Sequence, residues 1–360
     1  MLKLYLFDSC LSFVYLFLRL SVYCPDSDRY DARMHYRKCG RWGLKLPAIT
    51  LGCWHNFGGS SPSQNQRDMI YSAFDAGITH FDLANNYGPP FGSAEINVGK
   101  ILKDLPRDEI LISSKAGYNM WPGPYGEWST RKHLLASLDQ SLKRVGVEYF
   151  DIFYSHRFDS DTPLDETMGA LDSAIYQGKA LYVGISSYST KSTMDAVNIC
   201  NERGFSPLAI HQPNYSMLNR WVEKKLLSTC IDLGLGVIAF CPLFQGLLTN
   251  KYLEGTPEGS RATIHNSPLR KNEVNEQNLK VIRELNKHAK ERGQTLSQMA
   301  LSWLLKSSTV TSALIGASSS EQILENVKAV RNISFSDNEL RKLDRILAKI
   351  NLPKSLWEGD

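Results

Sequence analysis

The chain has 360 residues, of which 42% are hydrophobic and 22% are charged, a composition that excludes a disordered or low-complexity protein. Its formal net charge is only +4, and because basic and acidic residues are interleaved, a basic stripe for nucleic acid is excluded. Seven cysteines form no CxxC pair and no metal-ligand spacing with the eight histidines, so we predict reduced thiols and no metal site.

The first 24 residues are apolar and aromatic, but Lys3, Asp8 and Arg19 interrupt them and leave only ten uncharged residues between the last two. Such a stretch is too short to span a bilayer, and the bulky Tyr23 does not fit a signal-peptide cleavage site. We therefore expect residues 1–34 to be a disordered or peripheral extension, or the product of a mis-assigned start upstream of Met34, in preference to a working signal peptide. The expected protein is cytoplasmic and has no membrane partner, and its single domain covers residues 35–360.

From Pro47 onward, short β-branched or apolar runs alternate with amphipathic stretches at helical spacing, which is typical of repeated βα units and a parallel sheet. The predicted strands are residues 48–51, 80–82, 110–115, 152–156, 182–186, 209–212, 237–240 and 313–315. The predicted helices include residues 131–145, 165–177, 275–292, 297–306 and, at the end, 336–350. Eight such units predict an α/β fold, a single-domain (β/α)8 TIM barrel followed by a C-terminal helix.

A doubly wound nucleotide-binding fold is the main rival, because residues 234–239 (GLGVIA) fit the spacing of a GxGxxA fingerprint. A genuine fingerprint follows a strand and opens a helix. This segment follows a predicted helix and opens a predicted strand, so the barrel is favoured.

Polar side chains stand at the carboxyl ends of consecutive predicted strands, where the βα loops of a barrel form its open mouth. Asp82 ends the second strand, with Tyr87 just beyond it. Lys115 ends the third strand and His156 ends the fourth. An acid, a phenol, an ammonium and an imidazole together form the set that proton transfer to a carbonyl oxygen requires.

Each of these four residues has a predicted catalytic role. A phenol is a poor proton donor unless a cation stabilises the phenolate, so Lys115 is expected to assist Tyr87. Asp82 is expected to hold the Lys115 ammonium, and His156 to orient the substrate carbonyl. Because no side chain supplies a hydride, a redox cofactor is expected as well.

The segment from residue 77 to residue 88 (GITHFDLANNYG) resembles the signature of the aldo-keto reductase family. Further segments fall in the family's order: 112–115 (ISSK), 184–187 (GISS), 210–213 (IHQP), 242–252 (PLFQGLLTNKY) and 315–318 (IGAS). Within the family, the sequence is similar to the subgroup of bacterial L-glyceraldehyde 3-phosphate reductases and voltage-gated potassium channel β subunits. The resemblance implies reduction of short aldehydes, such as L-glyceraldehyde 3-phosphate and methylglyoxal.

The resemblance also implies an NADPH site. The implied cofactor residues are Trp54, Asp82, Ser186, Ser187 and Gln212 at the nicotinamide, Cys241, Pro242, Leu243, Gln245, Lys251 and Arg261 at the pyrophosphate, and Gly316, Ser318, Gln322, Glu325 and Asn326 at the adenosine. Many members carry a lysine and an arginine beside the adenosine 2′-phosphate, where this chain has Ala317 and Gln322. NADH is therefore not excluded.

On the substrate side, Tyr87 and Trp121 are expected to contact a small aldehyde, and Arg157 and Arg220 either bind its phosphate or form surface salt bridges. The alternative function is a cofactor-binding regulatory subunit with little turnover, like the channel β subunits. Those subunits have asparagine at the strand end where this chain has His156, so the enzyme is favoured. A homo-oligomer is a possible assembly.

Overall fold

The structure, a computed structural model, describes residues 23–31, 33–258, 260–263, 269 and 271–353. Two short strands, β1 (Tyr36–Lys38) and β2 (Lys45–Pro47), precede the barrel. The barrel strands are β3 (Ile49–Gly52), β4 (His80–Asp82), β5 (Leu111–Ala116), β6 (Phe150–Ser155), β7 (Ala180–Ser186), β8 (Ile210–Gln212), β9 (Gly236–Phe240) and β10 (Ser312–Ile315). All are parallel and close in chain order, β10 pairing with both β3 and β9, which confirms the predicted (β/α)8 barrel.

The described helices are α1 (Ser63–Asp75), α2 (Ser93–Leu102), α3 (Arg131–Val145), α4 (Leu164–Tyr176), α5 (Thr190–Arg203), α6 (Leu226–Asp232), α7 (Glu276–Glu291), α8 (Leu296–Leu305), α9 (Ser320–Val327) and α10 (Asp337–Leu347). Helix α3 has the predicted bounds of residues 131–145, and both of its ends have recognisable capping residues. The Thr130 hydroxyl caps its first turn by accepting from the His133 amide, and Gly146 ends it in the left-handed region at φ 77°.

The antiparallel hairpin β1–β2 closes the end of the barrel at which the strands begin. Its Cys39 and Leu46 are fully buried and pack against Ile152, Ile210 and Ile238 of the barrel interior. This hairpin was not among the predicted elements. Because it fills the amino-terminal end, the βα loops at the other end form the open mouth.

Residues 23–31, 33 and 34 lie along the outside of the barrel. The ring of Tyr23 stacks on Tyr71 of α1 at 3.8 Å between centroids, and its hydroxyl donates to Asp75 at 2.6 Å. Residues 1–22 lie outside the described part, and the boundary at residue 35 stays a prediction. Over the residues that the structure does describe, no helix is both long enough and apolar enough to cross a bilayer.

Buried histidines predict that acid destabilises the fold. Burial lowers the pKa of His80 to about 4 and that of His211 to about 3, against about 6.5 in an unfolded chain. Between those values the unfolded chain binds more protons, so each residue favours unfolding by about 1.4 kcal/mol per pH unit below about pH 6.5. We expect the free energy of unfolding, measured with urea, to fall between pH 7.5 and pH 5.5.

The variant His211→Gln is expected to lose less stability over this pH range than the natural chain. His35→Gln is the matched control, because His35 is exposed, and it should leave the pH dependence unchanged. An undiminished pH dependence in His211→Gln would contradict this assignment.

Candidate active site

The acid, phenol and ammonium meet at the mouth of the barrel. Asp82 and Lys115 are fully buried, and their ion pair has a length of 2.5 Å between Oδ2 and Nζ. The same Nζ donates to the Leu83 carbonyl at 2.7 Å and to the Tyr87 hydroxyl at 3.3 Å. The Lys115 ammonium therefore contacts both the Asp82 carboxylate and the Tyr87 phenol.

The surroundings keep the phenol protonated before reaction. Burial, reinforced by the Asp82 carboxylate, holds the pKa of Tyr87 well above its ordinary value. Burial also lowers the pKa of Lys115, and the adjacent Asp82 opposes that effect. An ammonium beside the phenol lowers the cost of the phenolate that remains after proton donation.

His156 lies across the mouth from the phenol. Its ring centroid is 6.0 Å from that of Tyr87, and the ring of Tyr118 meets it edge-on at 4.7 Å. Burial, followed by the charges of Lys115 and Arg157, lowers the pKa of His156 well below its ordinary value. The imidazole is therefore neutral and donates from one ring nitrogen only.

Residues of β7 and β8 adjoin the catalytic candidates. The Gln212 side-chain amide donates to Asp82 Oδ1 at 3.2 Å, and the Ser186 hydroxyl donates to the Gln212 carbonyl at 2.8 Å. Ser187 has a left-handed backbone at φ 56°. Of these three residues, Gln212 contacts the acid of the site, and Ser186 and Ser187 both donate to the Gln212 carbonyl.

An aromatic wall covers one side of the phenol. Trp54 stacks on Tyr87 with centroids 5.7 Å apart, and His55 stacks on the Trp54 indole at 3.9 Å. The three rings therefore form one aromatic wall at the Tyr87 ring.

The loop after β9 has several residues with a left-handed backbone. Cys241, Phe244 and Gln245 have φ values of 54°, 46° and 56°, and the Phe244 amide donates to the Cys241 carbonyl at 2.9 Å. The Gln245 amide also donates to the Cys241 sulfur at 2.9 Å. The segment holds the predicted pyrophosphate residues Cys241, Pro242, Leu243 and Gln245. Lys251 follows in the 3-10 turn Asn250–Tyr252, and the side chain of Arg261 lies outside the described part.

The amino terminus of α9 lies where the sequence predicts the adenosine end of the cofactor. The Ser319 side chain does not cap this eight-residue helix, and the Glu321 carboxylate in its first turn accepts from its own backbone amide. A Cβ built on Gly316, just before it, would meet nothing within 4 Å. The Gln322 side chain accepts from the Ser318 amide at 3.0 Å, and Asn326 is buried on the same helix, next to Glu325. The open space beside Gly316 is compatible with a ligand, and the cofactor contacts at both loops stay predictions.

Arg157 holds the loop that follows β5. Its guanidinium lies 4.2 Å from the Tyr118 ring centroid and 3.6 Å from that of Trp128, and it pairs with Glu127 at 2.5 Å. Trp121 of the same loop packs on His133, with centroids 5.0 Å apart. Arg157 is therefore already committed to a carboxylate, and its phosphate role stays a prediction.

Arg220 lies away from the other candidates. It pairs with Glu223 at 2.7 Å and with Asp344 at 2.6 Å, and it lines a cavity of about 230 Å³ with Lys306 and Thr309. Lys306 and Thr309 directly precede β10, so they lie at the end of the barrel where its strands begin. Arg220 therefore does not lie at the mouth of the barrel, and its phosphate-binding role stays a prediction.

Ser113 and Tyr118 are two site residues that the sequence reasoning did not single out. The Ser113 hydroxyl donates to Asp82 Oδ1 at 2.7 Å, and Tyr118 packs on His156. Ser113 could have been found from the alternation of side chains along β5. Residues two apart in a strand share a face, so Ser113 lies on the same face as Lys115. Tyr118 lies in a loop, where no such periodicity applies.

A closed (β/α)8 barrel that gathers an acid, a phenol, an ammonium and an imidazole at its mouth has the arrangement of an oxidoreductase that acts on carbonyls. The profile of the Aldo/keto reductase family matches residues 48–348. The chain belongs to this family, as the sequence motifs predicted, and is an enzyme of a class that uses a nicotinamide cofactor.

Individual relatives agree with that assignment. The chain is 54% identical over 345 residues to L-glyceraldehyde 3-phosphate reductase of Escherichia coli O157:H7, covering 94% of this chain and 99% of that protein. It is 36% identical to a protein of Schizosaccharomyces pombe named as a voltage-gated potassium channel subunit beta, over 87% of this chain and 93% of that one. A rice protein with the same name is 32% identical, over 88% of this chain and 97% of the other.

Proposed function

We propose that this protein reduces short aldehydes with NADPH, and that its substrates are L-glyceraldehyde 3-phosphate and carbonyls of the methylglyoxal type. The observation that carries the proposal is the buried Asp82–Lys115 pair, whose ammonium lies 3.3 Å from the Tyr87 hydroxyl. The 54% identity to an L-glyceraldehyde 3-phosphate reductase supports this substrate class.

Each catalytic side chain then has one task. A nicotinamide held at this site would supply the hydride that the carbonyl carbon accepts. Neutral His156 donates a hydrogen bond to the carbonyl oxygen and stabilises the charge that develops there. Tyr87 transfers its phenolic proton to that oxygen, which completes the alcohol. The Lys115 ammonium stabilises the phenolate left behind, and Asp82 keeps the ammonium in place.

The match to the Aldo/keto reductase family supports a nicotinamide dinucleotide as cofactor, and the open space beside Gly316 is compatible with its binding there. NADPH is the proposed form, and NADH stays the alternative because Ala317 and Gln322 carry no positive charge. The six described cysteines are free thiols, which is typical of a reducing compartment and supports a cytoplasmic location.

Cofactor oxidation tests this function. We expect absorbance measurements to show aldehyde-dependent oxidation of NADPH, with the highest kcat/KM for L-glyceraldehyde 3-phosphate and a lower value for methylglyoxal. NADH in the same assay is expected to give a lower kcat/KM. No oxidation with any short aldehyde, despite binding of NADPH, would contradict the proposal and favour a regulatory subunit like the channel proteins.

A further inference from the structure

A line of buried polar side chains crosses the interior of the barrel beneath the catalytic residues. The Ser312 hydroxyl lies 2.8 Å from that of Thr50, which lies 3.1 Å from His80 Nδ1. His80 Nε2 lies 2.9 Å from the Ser113 hydroxyl, which lies 2.7 Å from Asp82 Oδ1. All five side chains are fully buried, so water does not compete for these hydrogen bonds.

The donor and the acceptor of every hydrogen bond in this line follow from Asp82, the residue that ends it. The Asp82 carboxylate only accepts hydrogen bonds, so the Ser113 hydroxyl must donate to it. A hydroxyl has a single proton, and Ser113 must therefore accept from His80 Nε2–H. A neutral imidazole with its proton on Nε2 accepts at Nδ1, which is where the Thr50 hydroxyl lies.

The burial of His80 agrees with this arrangement. Burial lowers the pKa of His80 to about 4, so the ring is neutral at physiological pH. Thr50 donates its only proton to the ring, and it must accept from Ser312. Each donor in the line thus has one acceptor, and only one ring tautomer satisfies all of them.

We propose that His80 is a positioning residue for aldehyde reduction, acting through Ser113 to fix the Asp82 carboxylate against Lys115. The inference rests on the proposed function, which gives Asp82 its part in the reaction. The site already described uses His156 as its imidazole, and His80 has no contact with the phenol in this scheme.

The geometry explains how His80 acts at a distance. Asp82 Oδ1 accepts from both Ser113 and Gln212, which fixes the plane of the carboxylate. Its Oδ2 then faces the Lys115 ammonium at 2.5 Å, and the ammonium faces the Tyr87 hydroxyl. If His80 did not hold the Ser113 hydroxyl, that hydroxyl would be free to rotate away from Asp82. A misplaced group in such a site costs up to about 100-fold in rate.

The tautomer is tested without any substitution. In the protein labelled with ¹⁵N-histidine, nuclear magnetic resonance is expected to show His80 with a protonated Nε2 and an unprotonated Nδ1 at neutral pH. The opposite tautomer, or a charged ring, would overturn the proposal even if the enzyme reduces aldehydes. The spectrum does not depend on turnover, so its failure and the failure of the proposed function are separate results.

Two substitutions of His80 distinguish positioning from simple packing. In His80→Gln, the amide nitrogen can replace Nε2 and donate to Ser113, whereas the shorter amide of His80→Asn cannot reach it. We expect His80→Asn to lower kcat by about 10- to 100-fold with little change in KM for NADPH, and His80→Gln to recover most of that loss. Equal losses in the two variants would overturn the proposal.

Ser113→Ala breaks the same line at its next member. We expect its loss of kcat to match that of His80→Asn, and the double variant to lose no more than either single one, because the two residues act in series. Ser302→Ala is the control, since it removes an equally buried hydroxyl that bonds to the Ala329 carbonyl on the outside of the barrel. It is expected to leave kcat unchanged, and fully additive losses at residues 80 and 113 would overturn the proposal.

Discussion

Replacing Tyr87 with phenylalanine is expected to lower kcat for aldehyde reduction by about 10²- to 10⁴-fold, which is the usual contribution of a general acid. The substitution removes only the hydroxyl that lies 3.3 Å from Lys115, and it keeps the ring that stacks on Trp54. Binding of NADPH, measured by fluorescence titration, should therefore change little. The pair of measurements separates proton donation from cofactor binding.

Tyr176→Phe is the matched control, because the same hydroxyl is removed from a ring that is 91% exposed on α4. Its kcat should equal that of the natural chain. Full activity in Tyr87→Phe would show that another group donates the proton.

Replacing Lys115 with methionine is expected to impair both activity and stability. The change leaves the Asp82 carboxylate buried without its cation, and breaking a buried pair in this way typically costs about 3–5 kcal/mol of unfolding free energy. It also removes the ammonium that stabilises the phenolate, so kcat should fall at least as far as in Tyr87→Phe. Urea unfolding and the NADPH assay measure the two effects.

The ion pair between Lys179 and Asp139 provides the control for stability. Both side chains are partly exposed, at 32% and 49%, and exposed pairs contribute only about 0–1 kcal/mol. Lys179→Met should therefore leave unfolding and kcat close to those of the natural chain. If Lys115→Met were no less stable than Lys179→Met, the buried pair would not have the energetic role assigned to it.

The barrel was predictable from the sequence because its strands are short apolar runs between long amphipathic helices. The predicted strand 80–82 and helix 131–145 have the bounds that the structure gives them. The hairpin β1–β2 was not predicted, because its strands YRK and KLP contain basic residues and precede the repeated βα units. Its role depends on contacts with strands that are far away in the sequence.

The outer part of the candidate site was predictable for a different reason. Parallel strands end at one face of a barrel, so polar residues at consecutive strand ends meet there, as Asp82, Lys115 and His156 do. The line through His80 and Thr50 was not predictable in the same way. Its hydrogen bonds depend on the register between neighbouring strands, which pairs Asp82 with Ser113, and a sequence does not state that register.

The most direct test of aldehyde reduction at this site follows the transferred hydrogen. The purified protein is incubated with L-glyceraldehyde 3-phosphate and NADPH that carries deuterium at the transferring carbon of the nicotinamide ring. We predict that mass spectrometry finds one deuterium in the product, on the carbon that was the aldehyde carbon. Tyr87→Phe should form this product about 10²- to 10⁴-fold more slowly than the natural chain. A product without deuterium, or equal rates in the two proteins, would contradict the account.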